Sequence, residues 1–458
     1  MSPLPNIVSE IFYHAGFAFV KGKVVKFTRF GGGDKLPFSF LWERYKTMDL
    51  WTILLLLLEA ALALFLLWRE GLLDQLRTTL LCLLLILLAF ALRWWVLDYE
   101  TLDYQNFLAK WAAFYRQNGG LKALDTPVGN YNIPYLYLLA IFSYLPIRDL
   151  YLIKLTSILF DVLLAWASLR LLRRLSDSPL RLLGLFFAVL YWPTVFLNGA
   201  VWGQCDSIYV ALALLGLAFA LEDRPALSMV MWALSFGFKL QAVFLLPVCA
   251  VLWMYRKYDW KHFLIFPLTY VLLVLPAVIA GRPFLDTLTL YAGQTGSIGD
   301  GLNYNSPSVF AIFTRVQDPA TASTLGILAA FLLMANVLIL CWANRDRLSD
   351  RAVLLAALLL AVGIPFLLPH MHDRYFFGAD ILSLVAAFAV PLLIPAALLC
   401  EFASLLGYHA YLRMRYLLTM NYGAGALIAA LALTLGCLLW CFRTSDAPGK
   451  KQPARKKS

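Results

Sequence analysis

The sequence predicts an all-α, polytopic membrane bundle of about a dozen helices, with juxtamembrane helices in the first outer loop. Three observations predict it. Of the 458 residues, 62% are hydrophobic and only 14% are charged. Apolar runs of spanning length recur along nearly the whole chain, and the charge between them is confined to short clusters.

The runs Ile53 to Trp68, Thr78 to Leu97, Leu182 to Leu197, Ser323 to Trp342 and Ala424 to Cys441 each approach the roughly 20 residues that cross a hydrocarbon core. A net charge of +11 is concentrated in the basic segment of residues 1–47 and the tail of residues 443–458, which flank a membrane domain of residues 48–442. In such a chain this charge signals orientation and contact with anionic membrane lipids, not nucleic acid. The seven cysteines are scattered through apolar runs and read as core residues. The first residues, MSPLPNIVSE, show no charged start followed by an apolar core, so insertion is expected to be directed by the spans themselves.

Orientation follows from the basic loops. Arg170 to Arg181 carries four arginines, Tyr255 to His262 carries Arg256, Lys257 and Lys261, and Asn344 to Arg351 carries three arginines. Placing all three in the cytoplasm puts Trp202 to Asp206, Gly281 to Ala320 and His370 to Tyr375 on the exoplasmic face. The loop Asp98 to Leu150 is also exoplasmic if Tyr131 to Leu145, short and containing Pro134, dips in without crossing. A full span at Met48 to Trp68 would put the basic N-terminal segment outside, against the positive-inside rule, so this stretch or part of the first 47 residues is expected in the interface.

Ionisable residues at span ends are costly, and four clusters of them stand on that outer face. In LDYETLDYQNFLAKW, Asp98 and Asp103 follow a span, and Asn106 to Asn118 continues as an amphipathic surface helix. An acid here either takes the proton from an attacking hydroxyl or caps the helix. In NGAVWGQCDSIY, Trp202, Gln204 and Asp206 mark a tight turn beside Asn198. In GFKLQ, Lys239 and Gln241 fall within Leu227 to Trp253, too long for one helix and short for two. A lysine there pairs with an anion, such as a lipid phosphate, or snorkels to the headgroups.

The fourth cluster, LPHMHDRYFFGAD, brings His370, His372, Asp373, Arg374 and Tyr375 to the end of a span. An arginine fork suits a phosphodiester. The two histidines read as hydrogen-bonding turn residues ahead of metal ligands, and no metal is assigned. The loop YAGQTGSIGDGLNYNSPSVF has the Gly, Asn and Ser content of a mobile cover.

At these residues the chain resembles the membrane glycosyltransferases of the GT-C superfamily, and more narrowly the bacterial proteins related to the second GPI mannosyltransferase. DYQNFLAKW with GNYNIPYLYLL, NGAVWGQCDSIY, ALSFGFKLQAVFLLP and LPHMHDRYFFGADILSL carry the resemblance, in that order, across Leu97 to Leu384. It implies an inverting transfer of a hexose, commonly mannose, from a polyprenyl-phosphate sugar to a glycan or glycolipid acceptor. It further implies a multi-pass protein of the plasma membrane in a bacterium, or of the endoplasmic reticulum in a eukaryote. It places Asp103 as the catalytic acid of the first outer loop and Asp206 as a second acid near the substrate. Asp98, Tyr104, Asn130, Tyr131, Trp202, Gln204, Lys239, Gln241, His370, His372, Asp373, Arg374 and Tyr375 complete the expected substrate site. A flippase of lipid-linked glycans is the rival, but its polar residues would line a path through the midplane instead of gathering at one face.

Overall fold

The computed structural model describes residues 17–20, 23–26, 50–291, 301–313 and 315–444. Two units divide the chain at residue 50. Of the first, a two-stranded antiparallel hairpin is described, β1 (Phe17–Val20) and β2 (Lys23–Lys26). The tail beyond residue 444 and most of the basic N-terminal segment, for which interfacial placement was expected, lie outside the described residues.

The second unit is helical. Its main helices are α1 (Leu50–Arg69), α2 (Leu76–Trp95), α3 (Ala109–Gln117), α4 (Ile133–Phe142), α5 (Asp149–Arg173), α6 (Pro179–Tyr191), α7 (Asp206–Leu221) and α8 (Pro225–Phe238). They are followed by α9 (Val248–Met254), α10 (Ile265–Ile279), α11 (Pro319–Ala343), α12 (Asp350–Leu367), α13 (Phe377–Ala389), α14 (Ile394–Leu412) and α15 (Met420–Thr444). Eight helices among the described residues are long and apolar enough to cross a membrane, and five more are apolar but shorter. This is the all-α polytopic bundle that the sequence predicts. α1 is one of the eight, a 20-residue helix of spanning length.

Local chemistry explains the breaks. The predicted span at Leu182 bends by 45° between α6 and the segment Pro193–Trp202, because Pro193 cannot donate to the preceding turn and drives Trp192 into extended backbone. The stretch Leu227 to Trp253 breaks at Lys239, whose φ of −152° and ψ of 133° end α8 and start a 3-10 turn, Leu240–Phe244. α4, at ten residues, is too short to cross, as its Pro134 suggests.

The bundle has two chemically distinct ends. At one, the three basic loops meet: Arg174 pairs with Asp350 at 3.1 Å, and the Tyr255 hydroxyl donates to the same aspartate at 3.0 Å. Arg173 reaches Glu70, just past α1, at 3.2 Å. At the other, the starts of α5, α7 and α13 and the end of α12 converge. α5 and α12 are the most enclosed spans, whereas α10 and α11 turn most of their surface outward. Deeper in the bundle lies a buried polar layer, in which Arg93 pairs with Asp161 at 3.0 Å and Glu401 accepts from Thr194.

Candidate active site

Two π-helical turns shape the polar end: Tyr104–Leu108 ahead of α3, and Leu197–Trp202 ahead of α7. Such turns widen the helix by one residue and recur at functional sites. The first follows directly on Asp103, and the second delivers Trp202 into the tight turn closed by Gly203, whose φ is +76°.

These segments meet at Asp103. Trp202 Nε1 donates to its Oδ2 at 2.9 Å, and Gln204 Nε2 donates to the same oxygen at 3.1 Å. Gln204 Oε1 in turn accepts from the Tyr131 hydroxyl at 3.0 Å. Asp103 keeps 23% of its side chain exposed, whereas Asp206 is almost wholly enclosed. Asp206 pairs with Lys239, released by the break after α8, and accepts from Asn198 at 2.8 Å. Lys239 Nζ also stands 6.0 Å from the Tyr131 ring centroid. Lys239 therefore has a carboxylate of the protein as a counterion. At a span's polar end, an adjacent acid is the least costly anion for a buried ammonium.

Arg374 is the hub. Its guanidinium lies 4.0 Å from Asp103, 3.7 Å from Asp206 and 3.6 Å from Asp373, and 5.1 Å from the Trp202 ring centroid. Those distances give Coulombic attraction without hydrogen bonds. Nε, although buried, has no hydrogen-bond partner, and neither has Asp373 Oδ1. Burial pushes the Asp373 carboxyl up to about 7, with the charge of Asp103 adding to the rise and Arg374 opposing it. Burial and the neighbouring Arg374 hold His372 down at about 4, so its ring is neutral at physiological pH. That ring stacks on Tyr304 at 4.7 Å and faces Tyr375 at 5.1 Å.

His372 and Met371 form a short strand, β4 (Met371–His372), parallel to β3 (Asn303–Tyr304). The pairing docks part of the expected cover loop against the Arg374 turn. Residues 292–300 of that loop lie outside the described residues.

The remaining expected residues make contacts of their own. Asp98 accepts from the Tyr151 hydroxyl and pairs with Arg148 at 3.4 Å, so the second Asp-Tyr of the duplicated pair, not the first, faces Arg374. Tyr104 is buried, its N–H directed at Thr101 Oγ1. Asn130 is exposed on the turn before Tyr131. His370, at φ +61°, has Nδ1 2.7 Å from the carbonyl of Gly301 and Nε2 3.4 Å from Ser323, as a turn residue would. Gln241 and Tyr375 border one small cavity with Tyr209 and Phe244. Among the described residues, no group of three or more His, Cys, Asp or Glu side chains is arranged to hold a metal ion.

Sequence reasoning missed Tyr408 and Tyr411, which enter from α14. The Tyr411 hydroxyl accepts from the Asp103 N–H at 3.0 Å, and Tyr408 accepts from Asn198 at 2.8 Å. Their only signal was a three-residue spacing at the polar end of an apolar run.

A polytopic helical bundle carrying an acid, held by neutral donors beside a half-buried arginine at one end, defines a membrane protein with a polar site at one end of its bundle. The chain belongs to glycosyltransferase family 87, whose model matches residues 130–368, just over half of its length. It is therefore a multi-pass membrane glycosyltransferase. No curated protein matches it in sequence. The matched residues include Tyr131, Trp202, Gln204, Asp206 and Lys239, and stop short of the Arg374 turn.

Proposed function

We propose that the protein transfers a hexose, mannose first among candidates, from a polyprenyl-phosphate sugar to a lipid-linked or cell-surface glycan acceptor, with inversion, at the exoplasmic face. The observation that carries this reading is the placement of Arg374 among Asp103, Asp206 and Asp373 with its Nε lacking a hydrogen bond. An arginine whose neighbours compensate its charge without saturating its donors is prepared to hydrogen-bond a phosphodiester. The GT-C resemblance of the motifs points the same way.

In this reaction the acceptor hydroxyl gives its proton to Asp103 as its oxygen bonds to the anomeric carbon. The bond from that carbon to the phosphate oxygen breaks, and the electron pair leaves with the polyprenyl phosphate. Arg374 takes up the charge that develops on the departing group. Trp202 and Gln204, both bonded to Oδ2, fix the rotamer of the carboxylate and leave Oδ1 to receive the proton. Asp206, ion-paired to Lys239, helps to shape the sugar pocket with Tyr131 and Gln204. The acids and Arg374 lie at the end of α12 opposite the basic loops, which supports exoplasmic chemistry under the positive-inside rule.

The test is direct. Purified protein in lipid is incubated with radiolabelled polyprenyl-phosphate mannose and polyprenyl-phosphate glucose, beside its Asp103→Asn variant. Consumption of the mannose donor by the wild type alone is expected. Consumption of the glucose donor instead would overturn the choice of sugar, and consumption of neither would overturn the donor class.

A further inference from the structure

The last turn of α14 does more than close the bundle. Tyr408 and Tyr411 are three residues apart and so share a helix face. The Tyr411 ring stacks on Trp202 with centroids 4.0 Å apart and planes at 7°. Its hydroxyl accepts from the Asp103 N–H, and Trp202 donates to Asp103 Oδ2. Asp103, Trp202 and Tyr411 thus form a closed ring of two hydrogen bonds and one stack, which holds the acid by its backbone and its carboxylate together.

Tyr408 works on the second acid. It meets the same indole edge-on, at 5.4 Å and 86°, and accepts from Asn198, whose amide also donates to Asp206 Oδ2. α14 comes this close because residue 407 is glycine. A Cβ there would lie 2.8 Å from the Asp373 carbonyl oxygen and 2.9 Å from that of Asn305.

We infer that Tyr408 and Tyr411 are positioning residues that fix Asp206 and Asp103, so that α14, outside the matched residues 130–368, completes the site. The role of Tyr411 rests on the reading of Asp103 as the base. The indole is the shared element: one ring orients Asp103 through Nε1 and is itself held by two tyrosines from another helix. Loss of the Tyr411 hydroxyl frees the Asp103 N–H and lets the acid leave the line of proton transfer, while the ring stack and the donor contacts stay.

The experiment is a double-mutant cycle in lipid with radiolabelled polyprenyl-phosphate mannose, comparing wild type, Tyr411→Phe, Asp103→Asn and the double variant under steady-state conditions. Tyr411→Phe is expected to lower kcat about tenfold, the scale of one hydrogen bond to a charged site, with the donor KM within about twofold. In the Asp103→Asn background the same substitution is expected to change nothing further, because there is no base left to position. An equal loss in both backgrounds, an unchanged kcat in Tyr411→Phe beside an inactive Asp103→Asn, or a Tyr411→Phe protein that no longer purifies as a folded species would each overturn the positioning role. A fully active Asp103→Asn would instead remove the reading of the base.

Discussion

Lys239 and Asp206 form an ion pair at the point where α8 breaks, with the lysine side chain 5% exposed and the aspartate 1%. Removing one member of such a pair leaves a buried charge uncompensated, at a typical cost of about 3–5 kcal/mol, while removing both is far less harmful. Arg374, 3.7 Å from Asp206, softens the loss of the lysine. Lys239→Met is therefore expected to lower the thermal unfolding temperature in detergent, and Lys239→Met/Asp206→Asn to recover most of the fall. A double variant less stable than the single one would show that the pair is not the dominant interaction.

Asp103→Asn keeps size and most hydrogen bonding while abolishing basicity. A positioned base contributes about a hundredfold to ten-thousandfold, and a loss of that order is expected with donor binding kept. Asp98→Asn is the control, since Asp98 is engaged by Arg148 and Tyr151. It should retain activity within about tenfold of the wild type on the scale of a lost surface hydrogen bond. The opposite order of effects would move the base to Asp98.

Arg374→Lys preserves the charge and loses the planar fork and its placement near the Trp202 ring. Donor affinity is expected to fall at least about tenfold, the scale of one charge-assisted hydrogen bond. Titration with polyprenyl-phosphate mannose checks this, and an unchanged dissociation constant would remove the phosphate assignment.

Asp373 is expected to give donor binding a pH dependence. Its carboxyl is pushed up to about 7 by burial and by Asp103, so it loses its proton as pH rises through neutrality. The new negative charge, 3.6 Å from Arg374, then competes with the donor phosphodiester, whose own charge is constant in this range. His372, held at about 4, stays neutral throughout. Donor affinity is expected to weaken roughly tenfold between pH 6 and pH 8, the limit for one coupled proton, and Asp373→Asn to flatten the profile. An unchanged slope in that variant would point to another group.

The two ends of the bundle should label differently. In a background with native cysteines replaced, Lys122→Cys, exposed on the site side, is expected to react with an impermeant thiol reagent in intact cells, and Arg181→Cys, at the basic end, is not. Reversed labelling would invert the topology.

The sequence by itself determined the fold class and the roster of polar segments. Hydrocarbon demands about 20 apolar residues per crossing and tolerates charge only where it is used or neutralised, so runs such as Ser323 to Trp342 and clusters such as LPHMHDRYFFGAD are visible one residue at a time. A break within Leu227 to Trp253 was legible from its length, whereas the bend at Pro193, inside the apolar run Leu182 to Leu197, was not.

What the tertiary structure decided is who faces whom. Asp98 and Asp103 carry the same dipeptide signature, and only the convergence of α5 and α7 assigns one to Arg148 and the other to Trp202. Lys239 needed an anion, but only the approach of α7 to the break after α8 makes that anion Asp206. Tyr408 and Tyr411 lie more than 200 residues from the indole they hold, in a helix with no polar motif of its own. Membrane insertion reads each span's hydropathy in sequence order. The contacts between spans depend instead on shape and hydrogen-bond geometry across helices distant in the chain, and no local pattern encodes those.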